Sequence, residues 1–138
     1  MMPSNWVDMV AEFQKQFEEP FIPVGQSDWE RLINLRASLI HEEITELWMG
    51  MNGMLQTPCE ADSLMRAKVD TLDAICDSIY VLIGTANALG FDIKEAFDRV
   101  HKSNMTKLGK DGKPIYNLAG KVMKPESFKP PILEDLVA

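Results

Sequence analysis

Cysteine is scarce in this 138-residue chain, with two residues, Cys59 and Cys76. A pair so spaced forms neither a metal-binding cluster nor a disulfide framework. Basic residues are outnumbered, 14 Lys+Arg against 21 Asp+Glu, for a net charge of -7. A nonspecific nucleic-acid binder needs basic surface to displace counterions, so no nucleic-acid partner is expected. Long apolar runs are missing too. The stretch from Ile79 to Ile83 is broken at once by Gly84 and Thr85, so no membrane partner is expected. The opening residues hold no basic segment followed by a long apolar run, which leads to the expectation of a cytoplasmic protein with reduced thiols.

What is present suits an ordinary globular domain: 46% apolar and 25% charged residues. The length allows one domain with a buried core. We read 1–138 as that single domain, helical over 1–110, with an extended tail over 111–138. Charge is unevenly spread. Residues 1–93 hold 5 Lys+Arg and 15 Asp+Glu, whereas residues 94–138 hold 9 and 6. An acidic body with a basic tail suits an anionic, metal-bound ligand.

The apolar pattern predicts an all-α fold. Trp6, Val7, Val10, Phe13 and Phe17 recur at helical spacing over 5–19, and Pro20 stops that helix. An extended connector, 21–25, follows. Ser27 or Asp28 can cap a second helix carrying Leu32, Ile33, Leu39, Ile40, Ile44, Leu47 and Trp48, which Asn52-Gly53 is expected to end. A loop with Pro58 leads to a third helix, Asp62 to Leu89, whose apolar face is broad, and Gly90 is a natural terminator. Asp92 and Glu95 form a capping box for a fourth helix ending near 107–109. The tail has little periodicity, with a short hairpin expected around Ile115–Val122. One protomer supplies only two long core helices. A four-helix bundle is therefore completed most simply by dimerisation, and a homodimer or homotetramer is expected.

The chemistry lies in two acidic stretches. Glu42, Glu43 and Glu46 fall within about 100° of arc on the second helix. Asp70, Asp73 and Asp77 fall within about 60° on the third. Carboxylates three or four residues apart point the same way, and a facing helix with the same arrangement completes an oxygen cage for Mg²⁺, with Mn²⁺ as a possible substitute. Glu43 and Glu46 supply one half of the cage, Asp73 and Asp77 the other, and Glu42 stands beside them. A Glu-rich stripe alone is commonly a solvated helix face. Aspartate inside a long helix is less ordinary, because its side chain competes for backbone hydrogen bonds. Clustered carboxylates also repel unless a cation offsets them.

Glu42-Glu43-Ile44-Thr45-Glu46 matches the Glu-Glu-x-x-Glu motif of the MazG-like all-α nucleoside triphosphate pyrophosphohydrolases, a group that includes phosphoribosyl-ATP pyrophosphohydrolase and the dimeric dUTPases. The similarity continues through Asp73-Ala74-Ile75-Cys76-Asp77, Gly84-Thr85-Ala86, Val100 to Lys107, and the tail pieces Asp111 to Pro114 and Gly120 to Pro125. In this ordered set the chain resembles the compact bacterial and phage subgroup. It departs in the second motif, usually Glu-x-x-Asp: Ala74 stands three before Asp77, and the acid is Asp73. The resemblance implies Mg²⁺-dependent cleavage of (d)NTPs such as dUTP, dCTP, dGTP or non-canonical nucleotides. Cleavage between the α- and β-phosphates gives a monophosphate and pyrophosphate, for nucleotide-pool cleansing or balancing. Glu43 or Glu46 is the candidate general base.

Lys107, Lys113, Lys121 and Lys124 are candidate phosphate ligands, and Asn104 can hydrogen-bond phosphate, sugar or base. Each lysine taken singly is also an ordinary surface charge. Tyr80, one turn beyond Asp77, is a candidate pocket residue. Arg36 is read as the partner of an acid. Two alternatives stand beside this reading: phosphoribosyl-ATP hydrolysis, and a noncatalytic helical interaction protein.

Overall fold

The structure, a computed structural model, describes residues 5–19, 26–56 and 61–137. The expected connector 21–25, Pro20 before it, and the loop around Pro58 lie outside the described residues. The chain divides into two compact units, Met1–Gly90 and Phe91–Ala138. The first holds α1 (Trp6–Gln16), α2 (Gln26–Leu55) and α3 (Ala61–Ala88); the second holds α4 (Ile93–Met105) and a short 3-10 turn, Glu134–Leu136. The fold is all-α as expected, and the described residues contain only two isolated β-bridges. Among them no single helix is long and apolar enough to cross a membrane.

Asn5 caps α1, its side chain accepting from the Asp8 N–H at 3.0 Å. At the other end the helix closes through Glu18, at φ 53°. The Glu18 N–H donates to the Lys15 carbonyl at 3.4 Å and the Glu19 N–H to the Gln14 carbonyl at 2.9 Å. This pair of bonds makes a left-handed helix cap, whose φ favours glycine. Holding a glutamate there costs about 1 kcal/mol. Glycine takes the equivalent place after α3, where Gly90 has φ 74°.

Helix α2 departs from expectation at both ends. It has begun by Gln26, so Asp28 lies in its first turn rather than at its cap. It also runs through Asn52-Gly53 to Leu55. The glycines serve packing here, not termination. A Cβ on Gly50 would meet the Thr71 Oγ1 at 2.8 Å and its backbone at 3.1 Å, and one on Gly53 would meet the Ala67 Cβ at 3.4 Å. Small residues thus let α2 and α3 approach closely. Gly50→Ala should therefore cost about 1–3 kcal/mol, since backbone cannot move aside as a side chain can. Gly53→Ala, in ordinary contact distance, should be neutral or stabilising through helix propensity. Melting curves of the two variants check this contrast.

The interior of this unit is small. Val10, Leu32, Ala67, Ala74, Ala86 and Ala88 are its buried apolar residues, while Ile33, Ile44, Trp48, Met51 and Leu55 on α2 and Leu72, Ile75 and Leu82 on α3 are exposed. These named residues fall within about 80° of arc on each helix, while other exposed apolar residues, Leu35 and Met49 on α2 and Met65 and Val69 on α3, lie outside those arcs. Each long helix therefore concentrates exposed apolar surface on one side without confining it there.

In the second unit Asp92 caps α4 as expected, accepting from the Glu95 N–H at 3.1 Å. Arg99 ties the tail to α4. It donates to both carboxylate oxygens of Asp135 at 2.7 and 3.0 Å, to the Ile132 carbonyl at 2.9 Å and to Glu95 at 2.9 Å. The Ser103 hydroxyl adds a bond to the Lys129 carbonyl at 2.6 Å. The expected hairpin is reduced to a single Tyr116–Val122 bridge closed by a turn with Gly120 at φ 79°.

Candidate metal centre and adjoining cavity

Glu43 and Glu46, one turn apart on α2, meet Asp77 of α3. One carboxylate oxygen from each lies within 4.8 Å of the others. Ala74 and Ser78 are buried on α3, which turns Asp77 to the edge of the helix contact. One oxygen of Glu43, Oε2, is enclosed and has no hydrogen-bond partner, an expensive state for a carboxylate. Burial raises the Glu43 pKa above its ordinary value of 4.5, and the charges of Asp77, Glu46, Glu42 and Asp73 push the same way, in that order. Glu42 and Asp73, both exposed, stand outside the converging three but within reach of Glu43 electrostatically.

The donor set is all oxygen and all anionic, which fits a hard divalent cation such as Mg²⁺ or Mn²⁺.

Glu43 and Asp77 also form one wall of a cavity of about 370 Å³. Phe13 and Tyr80 form another, meeting edge to face with centroids 5.5 Å apart. Burial, then the charges of Glu19 and Glu12, raise the Tyr80 pKa above 10, so its hydroxyl stays protonated at neutral pH. A third wall is polar. Arg36, 4% exposed, donates to the Thr85 hydroxyl at 3.0 Å, to Glu19 Oε2 at 3.1 Å and to the Val81 carbonyl at 2.9 Å. Gln14, 1% exposed, donates to the same Glu19 oxygen at 3.3 Å and to the Gly84 carbonyl at 2.9 Å, and accepts from Asn87 at 3.2 Å. A Cβ on Gly84 would stand 2.7 Å from Arg36 Nη2, so glycine is what admits the guanidinium.

Of the four carboxylates expected to form the cage, Glu43, Glu46 and Asp77 converge and Asp73 does not, and Tyr80 lines the cavity. Arg36 does pair with an acid, as expected. That acid is Glu19, which periodicity did not single out, and neither Gln14 nor Phe13 was separated from ordinary helix residues. Glu18-Glu19 before a proline was the available signal, since two acids at a helix C-terminus oppose the dipole.

The remaining candidates lie in the second unit. Lys107 is half-buried and Asn104, Lys113, Lys121 and Lys124 are exposed. The ammonium groups of Lys107 and Lys124 stand 6.0 and 5.0 Å from the centre of the Phe128 ring. His101 is exposed on α4.

Comparison with known families matches residues 10–104 to the model described as phosphoribosyl-ATP pyrophosphohydrolase. The matched stretch begins within α1 and ends within α4, and so contains every carboxylate of the candidate metal centre and its adjoining cavity. No curated protein matches the chain significantly.

Proposed function

The chain belongs to the phosphoribosyl-ATP pyrophosphohydrolase family of the MazG-like all-α nucleoside triphosphate pyrophosphohydrolases, and from that premise we propose that it cleaves (d)NTPs between the α- and β-phosphates in a Mg²⁺-dependent reaction. The observation carrying this reading is the convergence of Glu43, Glu46 and Asp77 within 4.8 Å beside a cavity wide enough for a nucleoside.

Glu43, Glu46 and Asp77 would hold the ion, with Glu42 and Asp73 adding negative charge around it. A divalent cation there would supply charge neutralisation for phosphate oxygens and would acidify water. Glu43 or Glu46 takes the proton of the attacking water. The water oxygen bonds to the α-phosphorus, the α–β bridging bond breaks, and pyrophosphate leaves with the bond's electrons. Phe13 and Tyr80 supply apolar faces for the base. Asn104, Lys107, Lys113, Lys121 and Lys124 are further proposed substrate-binding residues. A (d)NTP reading suits nucleotide-pool cleansing or balancing in the cytoplasm. Phosphoribosyl-ATP is the second reading, favoured by the description of the matching family.

A panel of NTPs, dNTPs and phosphoribosyl-ATP with Mg²⁺, scored for pyrophosphate against orthophosphate, tests the proposal. Pyrophosphate release is expected. Orthophosphate as the sole product overturns α–β cleavage, and cleavage of phosphoribosyl-ATP alone selects the second reading.

The exposed stripes on α2 and α3 support the proposal that two copies pair to complete a four-helix core. Trp48, 64% exposed, sits within the α2 stripe. Light scattering of the wild type should give a dimer or tetramer, and Trp48→Glu should shift it toward monomer, because a charge in an apolar interface costs several kcal/mol unless paired. A monomeric wild type at tens of micromolar sinks this proposal.

A further inference from the structure

We infer that Glu19, held in place by Arg36 and Gln14, is a specificity-determining residue that accepts a hydrogen bond from an N–H on the base edge of the nucleotide. The inference rests on the reading that the cavity beside Glu43 and Asp77 takes a nucleotide.

Glu19 lines the same cavity as Glu43 and Asp77. An ion pair alone does not explain how it is held. Arg36 Nη1 and Gln14 Nε2 both converge on Oε2, at 3.1 and 3.3 Å. Among the described residues the other oxygen, Oε1, receives no hydrogen bond. A structural salt bridge to a buried guanidinium gains most when both oxygens are engaged in a fork, as Arg99 does with Asp135 in the second unit. Here the fork is declined. The Arg36 donors are divided among Thr85, Glu19 and Val81 instead. One carboxylate oxygen is thereby oriented by two nearly inaccessible side chains, while its twin takes no hydrogen bond from the described residues.

The cap that ends α1 at Glu18, φ 53°, takes the chain off the helix axis at Glu19, which meets Arg36 of α2.

The open oxygen can only accept. A base that presents an amino or imide N–H to it gains a charge-assisted bond, and a base that presents a lone pair is repelled. Phe13 lines the cavity as apolar surface and does not distinguish bases by their edges. A polar group built to bond a substrate N–H rejects the analogue lacking it far more strongly than an apolar wall can. The acids at the other wall act on the phosphates, which all nucleotides share. Of the carboxylates lining the cavity, Glu19 is the one left to read the base edge.

The test is the kcat/KM of the full chain with Mg²⁺ across dATP, dGTP, dCTP, dTTP and dUTP, for wild type and Glu19→Gln. Glutamine keeps an oxygen for Arg36 and Gln14 but turns an amide donor toward the cavity. The ratio between the best and worst nucleotide should fall at least tenfold or invert. Glu19→Asp, which keeps the charge, should preserve the ranking with a smaller ratio. As a measurement free of any variant, wild type should prefer its best nucleotide at least tenfold over the analogue lacking the donated N–H. A uniform drop across all nucleotides in Glu19→Gln, with the ranking intact, makes Glu19 a structural partner of Arg36 and overturns the inference. An indifferent wild type does the same. In both cases the proposed function survives. Absence of pyrophosphate from every nucleotide overturns the two together.

Discussion

Glu43→Gln is expected to raise the melting temperature of the metal-free protein and to abolish the further rise that Mg²⁺ gives the wild type. Glu43 is the carboxylate most compromised by folding. Burial, and then Asp77, Glu46, Glu42 and Asp73, all penalise its charged form, and its enclosed oxygen has no partner. Glutamine keeps the shape and removes the charge. The pH dependence follows from the direction of the shift. The folded protein holds a proton at Glu43 at pH values where the unfolded chain, near 4.5, has lost it. Stability from this group therefore falls as pH rises above 4.5, and the loss is complete once pH passes the raised value. Glu43→Gln should lack that fall.

A bound divalent ion reverses the sign, because it favours the ionised carboxylate. Wild-type protein at a Mg²⁺ concentration of about 100 Kd should gain ~2.7 kcal/mol. The variant should gain almost nothing, and its pyrophosphate release should drop on the order of a thousandfold, a loss of roughly 4 kcal/mol of transition-state stabilisation. Thermal melts from pH 4 to 8, with chelator and with Mg²⁺, measure both signs. A wild type indifferent to Mg²⁺ and Mn²⁺, with and without a nucleotide analogue, removes the metal centre.

Arg36→Ala should be the most destabilising single change in the first unit, at about 3–5 kcal/mol, the cost of leaving one member of a buried pair uncompensated. Three acceptors each lose one donor, Glu19 beyond α1 and Thr85 and Val81 on α3, while Glu19 keeps the bond from Gln14 and Val81 the one from the Thr85 hydroxyl. For a chain of this size that is a fall of roughly 10 °C or more. Arg36→Lys should recover little of it, since a single ammonium cannot address three acceptors in the plane of a guanidinium. Adding Glu19→Gln to Arg36→Ala should restore part of the loss by removing the orphaned charge, a coupling that a double-mutant cycle reads directly. Additive effects would mean that Arg36 stabilises through its packed stem alone.

Legibility in the sequence followed the range of the interactions involved. The helices α1, α3 and α4 were placed to within a few residues, because caps and apolar period are local properties. Asp92 and Gly90 acted as their residue types predict. The acids were legible because helical geometry puts Glu43 and Glu46 on one side of a helix wherever that helix goes. Where a residue's role depended on a neighbouring helix, the local reading failed. Asn52-Gly53 has the composition of a terminator, yet α2 continues because Gly50 and Gly53 are where α3 crosses it. Ala74 interrupts the second acidic motif in sequence, and it is buried where α3 meets α2.

By itself the sequence determined the all-helical class, the two acidic helices and the oxygen-only donor set, since each depends on residue type and spacing along one helix. Tertiary structure alone decided which carboxylates converge. Glu43, Glu46 and Asp77 meet, and Glu42 and Asp73 flank them, because the α2–α3 crossing sets the distance between side chains that are about thirty residues apart in the chain. It also decided that Glu19, Gln14 and Arg36 form the polar wall of the same cavity. Their hydrogen bonds join residues from α1, α2 and α3, and no pattern within a single helix encodes a bond between helices.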